Sequence, residues 1–141
     1  MSFGDCKKIG LIKKDLNAHK RVENEINSAQ HFFKSALNIF KIKEYDLTII
    51  ASYNSSFHFL RALLFKNNYI EKSHYCLVEA LRKLYFNNKG FLDLLDEFDK
   101  IRMSRHEIQY RGVFSDKEEA RYVLNFNKRL KKYMLEKLIK F

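Results

Sequence analysis

The sequence predicts an all-α fold, an up-and-down bundle of four to five helices, and three observations carry that expectation. The chain has no Pro and four Gly, at 4, 10, 90 and 112, so helix breakers are rare and the turn residues that bound strands are almost missing. Apolar residues recur at helical spacing over long stretches: Val22, Ile26, Ala29, Phe33, Ala36 and Phe40 stand alternately four and three apart. The stretch ASYNSSFHFLRALLF, Ala51 to Phe65, is apolar nearly all round, which suits a helix in the middle of a protein. At 141 residues, 46% of them hydrophobic, the chain can bury one substantial core, and a single domain over 1–141 is expected.

Residues 1–13 carry two glycines and mixed signals and read as a short N-terminal arm. From Asp15 a long helix runs to near Glu44, with Leu37 widening its apolar seam. Asp46 is expected to cap the central helix, Leu47 to Lys66, which Asn67 and Asn68 end. Ser73 caps a short helix reaching Tyr85 and burying Leu77, Ala80, Leu81 and Leu84. Asn87 to Gly90 reads as a loop in which Gly supplies the left-handed conformation that closes a helix. Phe91 opens a fourth helix with Phe91, Leu94, Leu95, Phe98 and Ile101 on one stripe, and the same spacing brings Arg102, Arg105 and Ile108 onto the apolar side. After Gly112, Ser115 with Glu118 forms a capping box for a last helix from Asp116 to about Lys140, with Ala120, Val123, Leu130, Met134 and Leu138 inward.

The formal charge of +10 is spread along the chain, densest in Lys7–Arg21 and Lys128–Lys140. Such a surface attracts phosphates, and it is also an ordinary route to solubility. No strand-like interleaving of aromatic and basic residues indicates a sheet-type RNA surface. Cys6 and Cys76 are far apart and lack metal-ligand spacing, which predicts free thiols in a reducing cytoplasm. The N-terminus lacks the apolar core of a signal peptide, and no apolar run reaches the ~20 residues of a membrane span, so a cytoplasmic protein without membrane contact is expected. His58, His74, Cys76 and His106 do not share a face as metal ligands would, and neither a phosphate-cradling loop nor a nucleophile elbow is present; no metal or cofactor is expected.

Two blocks resemble a known family. ASYNSSFHFLRALLFKNNYIEKSHYCLVEAL has an Ala and Tyr, a Phe-His pair, an Arg before Ala-Leu-Leu, and a link ending in Lys-Ser-His; IRMSRHEIQYRG then supplies arginines, polar residues and a Tyr near a Gly. In this order the blocks are similar to the characteristic regions of HEPN domains. The resemblance implies a helical bundle that forms a homodimer through the face carrying the second block. It also implies a minimal nucleotidyltransferase as partner, in the manner of a toxin–antitoxin pair, or else a metal-independent ribonuclease. In the ribonucleases an Arg and a His with about four to six residues between them meet their symmetry mates across the dimer. Here the spacing departs from that pattern. From Arg105 it lands on Tyr110, and from Arg102 the histidine, His106, comes one residue too early. Tyr, with a reference pKa of about 10, is a poor base near neutrality.

Arg102, Arg105 and His106 are therefore the candidate catalytic residues, with Arg102, His106 and Tyr110 four apart and able to share a helix face. Arg61, Arg105 and Tyr110 are the candidates for binding a phosphate of nucleotide or RNA. Set against both is a polar cluster that pins the fourth helix, with Glu97, Asp99 or Glu107 pairing the arginines. Tyr53, Asn54 and His58 read as a structural polar cluster satisfied within the central helix, and His74 as a local cap or surface residue. Phe98, Ile101, Arg105 and Ile108 are expected near a dimer interface, because their stripe runs past what one neighbouring helix covers.

Overall fold

A computed structural model describes residues 1–139. Six α-helices follow in order: α1 (Phe3–Lys8), α2 (Val22–Lys41), α3 (Tyr45–Lys66), α4 (His74–Leu84), α5 (Lys89–Arg111) and α6 (Lys117–Tyr133). A 3₁₀ turn, Ala18–Arg21, leads into α2, and a π turn, Met134–Leu138, continues α6. The end of the last helix expected at Lys140 lies outside the described residues. The all-α expectation holds with one addition: β1 (Ile12–Lys14) and β2 (Tyr69–Glu71) pair antiparallel, Ile12 opposite Glu71 and Lys14 opposite Tyr69. The N-terminal arm is thereby a helix–strand unit that returns onto the link between α3 and α4.

α3 is the axis of the molecule. Ile49, Tyr53, Phe59, Leu60, Leu63, Leu64 and Phe65 are buried around its circumference, and α2, α6, α5 and α4 pack on its different sides. Each fully buried side chain of this size contributes roughly 1.5–3 kcal/mol, so the helix is held by packing on all sides rather than by an amphipathic stripe. Small residues let α2 approach it closely: Ala29 and Ala36 are fully buried, and the Ser55 hydroxyl donates to the Ala29 carbonyl at 2.7 Å. Asn127 of α6 joins that seam by donating to Ser55 Oγ at 3.0 Å and Ser56 Oγ at 3.1 Å. The Ser55 and Ser56 hydroxyls and the Asn127 amide nitrogen are satisfied by one another or by the Ala29 carbonyl, whereas Asn127 Oδ1 and Ser52 Oγ are buried without a partner among the described residues.

Several local readings shift by a residue or a turn. Asp46 does not cap α3; Glu44 stands at the N-cap without a side-chain bond, and the Asp46 carboxylate accepts from the Ser115 backbone N–H at 2.6 Å, 69 residues away. The cap of α6 is Asp116, not Ser115: its carboxylate accepts from the Glu119 N–H at 2.8 Å, while the Ser115 hydroxyl donates to the Glu119 carboxylate. Gly90 is not a left-handed closer but lies in the first turn of α5, which Asn88 caps by accepting from the Phe91 N–H at 3.1 Å. A Cβ at position 90 would approach the Tyr133 hydroxyl to 3.3 Å, so that glycine makes room for the α6 end. Ser73 caps α4 as expected, and Gly112 closes α5 in the left-handed region at φ 67°.

The cysteines are not free thiols. Cys6 of α1 and Cys76 of α4 are both fully buried and form a disulfide across 5.8 Å between Cα atoms, within the range such a bond spans. Their separation of 70 positions hides the proximity, which accompanies the β1–β2 pairing. The inference of a reducing compartment from unpaired thiols loses its basis. No helix among the described residues is long and apolar enough to cross a membrane.

Candidate functional site

The site begins with the buried aromatic face that α3 turns towards α4 and α5. Tyr53 has no solvent exposure, and its ring stacks on Phe98 of α5 with centroids 5.1 Å apart. On its other side lies the imidazole of His74, the first residue of α4, which also stacks on Phe57 at 4.0 Å. The Tyr53 hydroxyl and His74 Nδ1 share a hydrogen bond of 2.5 Å. Ser73, by capping α4, fixes the start of that helix and so delivers His74 to this position.

Arg105 rests on this platform. Its guanidinium lies 4.4 Å from the Tyr53 ring centroid and 5.8 Å from that of Tyr110, the cation–π geometry in which an aromatic face attracts a cation. Arg105 Nη1 donates to Gln109 Oε1 at 3.1 Å, and its buried Nε has no hydrogen-bond partner among the described residues. The neighbouring arginines are differently placed. Arg102 Nε donates to Asp99 at 2.9 Å, and Arg111 stands 3.8 Å from Glu107. Arg105 is half-buried and pairs with no carboxylate among the described residues. A surface cavity of about 310 Å³ on the same helix is lined by Arg102, Met103, His106, Glu107 and Arg111, and Arg105 is not part of its lining. His106 is exposed, with its ring 4.9 Å from that of Tyr110, so the four-residue spacing does place Arg102, His106 and Tyr110 along one face.

Burial lowers the His74 pKa from its ordinary 6.5 to about 4, aided by the positive field of Arg105, Arg102, Arg61 and His58. His74 is thus neutral at pH 7, and burial pushes the Tyr53 hydroxyl above its usual value against the pull of Arg105. Between pH 6.5 and 4 the unfolded chain binds a proton at His74 that the folded chain refuses. Stability from this residue is complete above about 6.5 and is lost as pH falls to about 4. In urea titrations a fall in unfolding free energy over that window is expected, and His74→Gln should flatten it.

Arg61 does not join Arg105. Its Nε donates to Glu71 at 2.9 Å, Nη1 lies 3.6 Å from Glu25, and its guanidinium faces the rings of Phe65 and Phe57. Two carboxylates already answer its charge, so it is a structural cation rather than an anion ligand. Burial pushes the Glu71 carboxyl up, opposed by Arg61. His58 belongs to the same knot, its Nδ1 2.6 Å from Glu25 and its ring stacked on Phe32. The expected cluster of Tyr53, Asn54 and His58 is therefore divided: Tyr53 serves the α5 platform, His58 the Glu25–Arg61–Glu71 knot, and Asn54 is half-buried without a side-chain hydrogen bond among the described residues. Of the carboxylates weighed as partners, Asp99 holds Arg102, whereas Glu97 turns to Arg129 on α6 at 2.7 Å.

Of the stripe expected near the dimer interface or its adjoining cleft, Phe98 and Ile101 are buried within the chain, and Ile108 is partly buried against its core. The exposed apolar residues at this end are Met103 at 61%, Tyr110 at 63%, Val113 at 48% and Phe114 at 85%. His74 was the main residue missed. A histidine directly after a capping Ser-containing link is a local signal for a helix start, but nothing in the sequence reveals the tyrosine 21 positions earlier that it meets. No group of three or more metal-ligating side chains occurs among the described residues.

Among known proteins, no curated protein and no solved structure matches the chain. The model of the HEPN domain family does match it, over residues 22–138, from the start of α2 to the end of the π turn. That span contains both sequence blocks, the α3 axis and the Arg105 platform, and the chain belongs to the HEPN domain family.

Proposed function

We propose that this chain is a HEPN module with little or no catalytic activity of its own, binding a phosphate of RNA or nucleotide at the exposed end of α5 and acting beside a minimal nucleotidyltransferase in a toxin–antitoxin-like pair. The observation that carries the binding site is Arg105, a half-buried guanidinium held over Tyr53 that pairs with no carboxylate, and whose Nε has no partner, among the described residues. A planar donor fork fixed in place suits a phosphate oxygen pair. The nucleotidyltransferase partner comes from the family resemblance alone. A homodimer is the companion proposal, and the exposed Met103, Tyr110, Val113 and Phe114 beside the arginines supply an apolar surface for it.

A ribonuclease is the second reading, favoured by His106 and Arg102 lining one cavity. Against it stands the spacing of that pair, one residue short of the family's pattern. Cleavage of a mixed pool of structured and single-stranded RNAs, with EDTA present, separates the two. No cleavage by the wild-type chain, Arg105→Ala or His106→Ala is the expected result. Cleavage by the wild type that both substitutions abolish would make the chain a metal-independent nuclease. Light scattering on the same preparations should give a dimer mass, and a monomer over a broad concentration range would remove the dimer.

A further inference from the structure

We infer that the Cys6–Cys76 disulfide is a redox strap: closed, it holds the N-terminal arm on β2 and α4, and its reduction by a dithiol releases the arm while the helical body stays folded. This goes beyond the RNA-binding proposal and does not depend on it.

The arm is a marginal unit by every non-covalent measure. α1 has six residues and β1 has three, far below the ~12–15 residues at which an isolated helix becomes stable in water. A two-stranded ribbon is likewise marginal without support. Lys7, Lys8, Lys13 and Lys14 are all exposed, so none of these side chains adds buried surface to the arm's hold. Its non-covalent hold is local: Ile12 is buried, Phe3 meets Tyr69 edge-on at 5.6 Å, and the Tyr75 hydroxyl donates to the Met1 carbonyl at 2.8 Å. The backbone bonds of Lys72 N–H to Leu11 O and of Asp15 N–H to Asn68 O, 2.9 and 2.8 Å long, flank the short β1–β2 pairing. With the body folded, the disulfide ties Cys6 to Cys76 of α4, which the body holds in place.

The body has its own support. The HEPN match begins at residue 22, beyond the arm, and α2, α3, α5 and α6 pack on one another without it. The effect of release would nevertheless reach the two polar clusters. β1 is the strand partner of β2, whose Glu71 holds Arg61. Cys76 stands two residues after His74, and its N–H donates to the Ser73 cap at 3.2 Å. The strap thus braces both the knot around Arg61 and the helix start that carries His74.

Chemically the opening is thiol–disulfide exchange. A thiolate of the dithiol attacks one cysteine sulfur, breaking the Cys6–Cys76 bond and expelling the other cysteine as thiolate. The second thiol of the reductant then closes its own disulfide and expels the first cysteine. Two electrons pass to the protein, and the protons of the two reductant thiols end on Cys6 and Cys76. Both sulfurs are buried, so attack waits on a transient opening of the arm.

The test is hydrogen exchange on the full chain, air-oxidised and then treated with dithiothreitol. Alkylation of the denatured oxidised protein should leave both cysteines unmodified. On reduction the amides of Leu11, Asp15 and Lys72 should exchange at least about tenfold faster, while those in the middle of α3 and α5 keep their protection. A Cys6→Ser/Cys76→Ser chain should exchange fast in either condition, and the wild-type comparison stands if that variant fails to fold. Free thiols in the oxidised protein, equal exchange before and after reduction, or loss of protection throughout α3 and α5 would each overturn the inference, the last by making the bond a staple of the whole fold.

Discussion

Phe98→Ala is expected to cost about 3–5 kcal/mol of unfolding free energy, the range for removing a buried aromatic ring from a packed core. Phe98 has no solvent exposure and lies flat against Tyr53, so the truncation leaves a cavity beside Tyr53, which joins α3 to α4 and α5. For a chain of this length the loss corresponds to roughly 10–17 °C in Tm. Phe98→Leu keeps most of the volume and should cost under half as much. Urea midpoints of the three chains check the order. An Ala variant as stable as the wild type would mean that the Tyr53 platform is not built on Phe98.

Arg105→Ala should leave stability within about 1 kcal/mol, since the side chain is half-exposed, and should weaken binding of a short single-stranded RNA about tenfold. The expected separation of affinity from stability follows from its position: it is carried by the fold and pairs with no carboxylate among the described residues. Arg105→Lys should recover only part of the affinity, because an ammonium keeps the charge but not the planar fork or its stacking on Tyr53. Arg129→Ala is the comparison. That arginine is already held by Glu97 on the α5–α6 surface, and its removal should change affinity little. Fluorescence anisotropy at fixed salt distinguishes these cases, and equal losses for Arg105→Ala and Arg129→Ala would place the RNA elsewhere.

What the sequence made legible was what repeats locally. The seam of Val22, Ile26, Ala29, Phe33 and Ala36 is the buried face of α2, and the stripe from Phe91 to Ile101 is the buried face of α5. Ser73 and Gly112 act at the helix ends where their side-chain chemistry places them. Failures came where a partner is distant in sequence. Asp46 and Ser115 both carry cap-forming oxygens, yet tertiary packing turned them towards each other and towards Glu119. Gly90 was misread because the loop before it is shorter than its polar residues suggest, with Asn88 already the cap.

The site followed the same division. Arg102, Arg105, His106 and Tyr110 sit within nine residues, so helical spacing alone gathers them. Arg61 shares a broad face with Tyr53 in sequence, but Glu25 and Glu71 arrive from α2 and β2 to neutralise it. Spacing on one helix reports which residues lie side by side. It does not report which charges arrive from elsewhere to meet them.

The central claim is that the arginines at the end of α5 hold phosphate, and a salt titration of RNA affinity tests it most directly. If Arg105 neutralises one phosphate of a single strand, log K should fall as log salt rises, and Arg105→Ala should flatten that slope by about 0.7. An affinity indifferent to salt, or no binding at low salt, would contradict the account and leave the basic surface a matter of solubility.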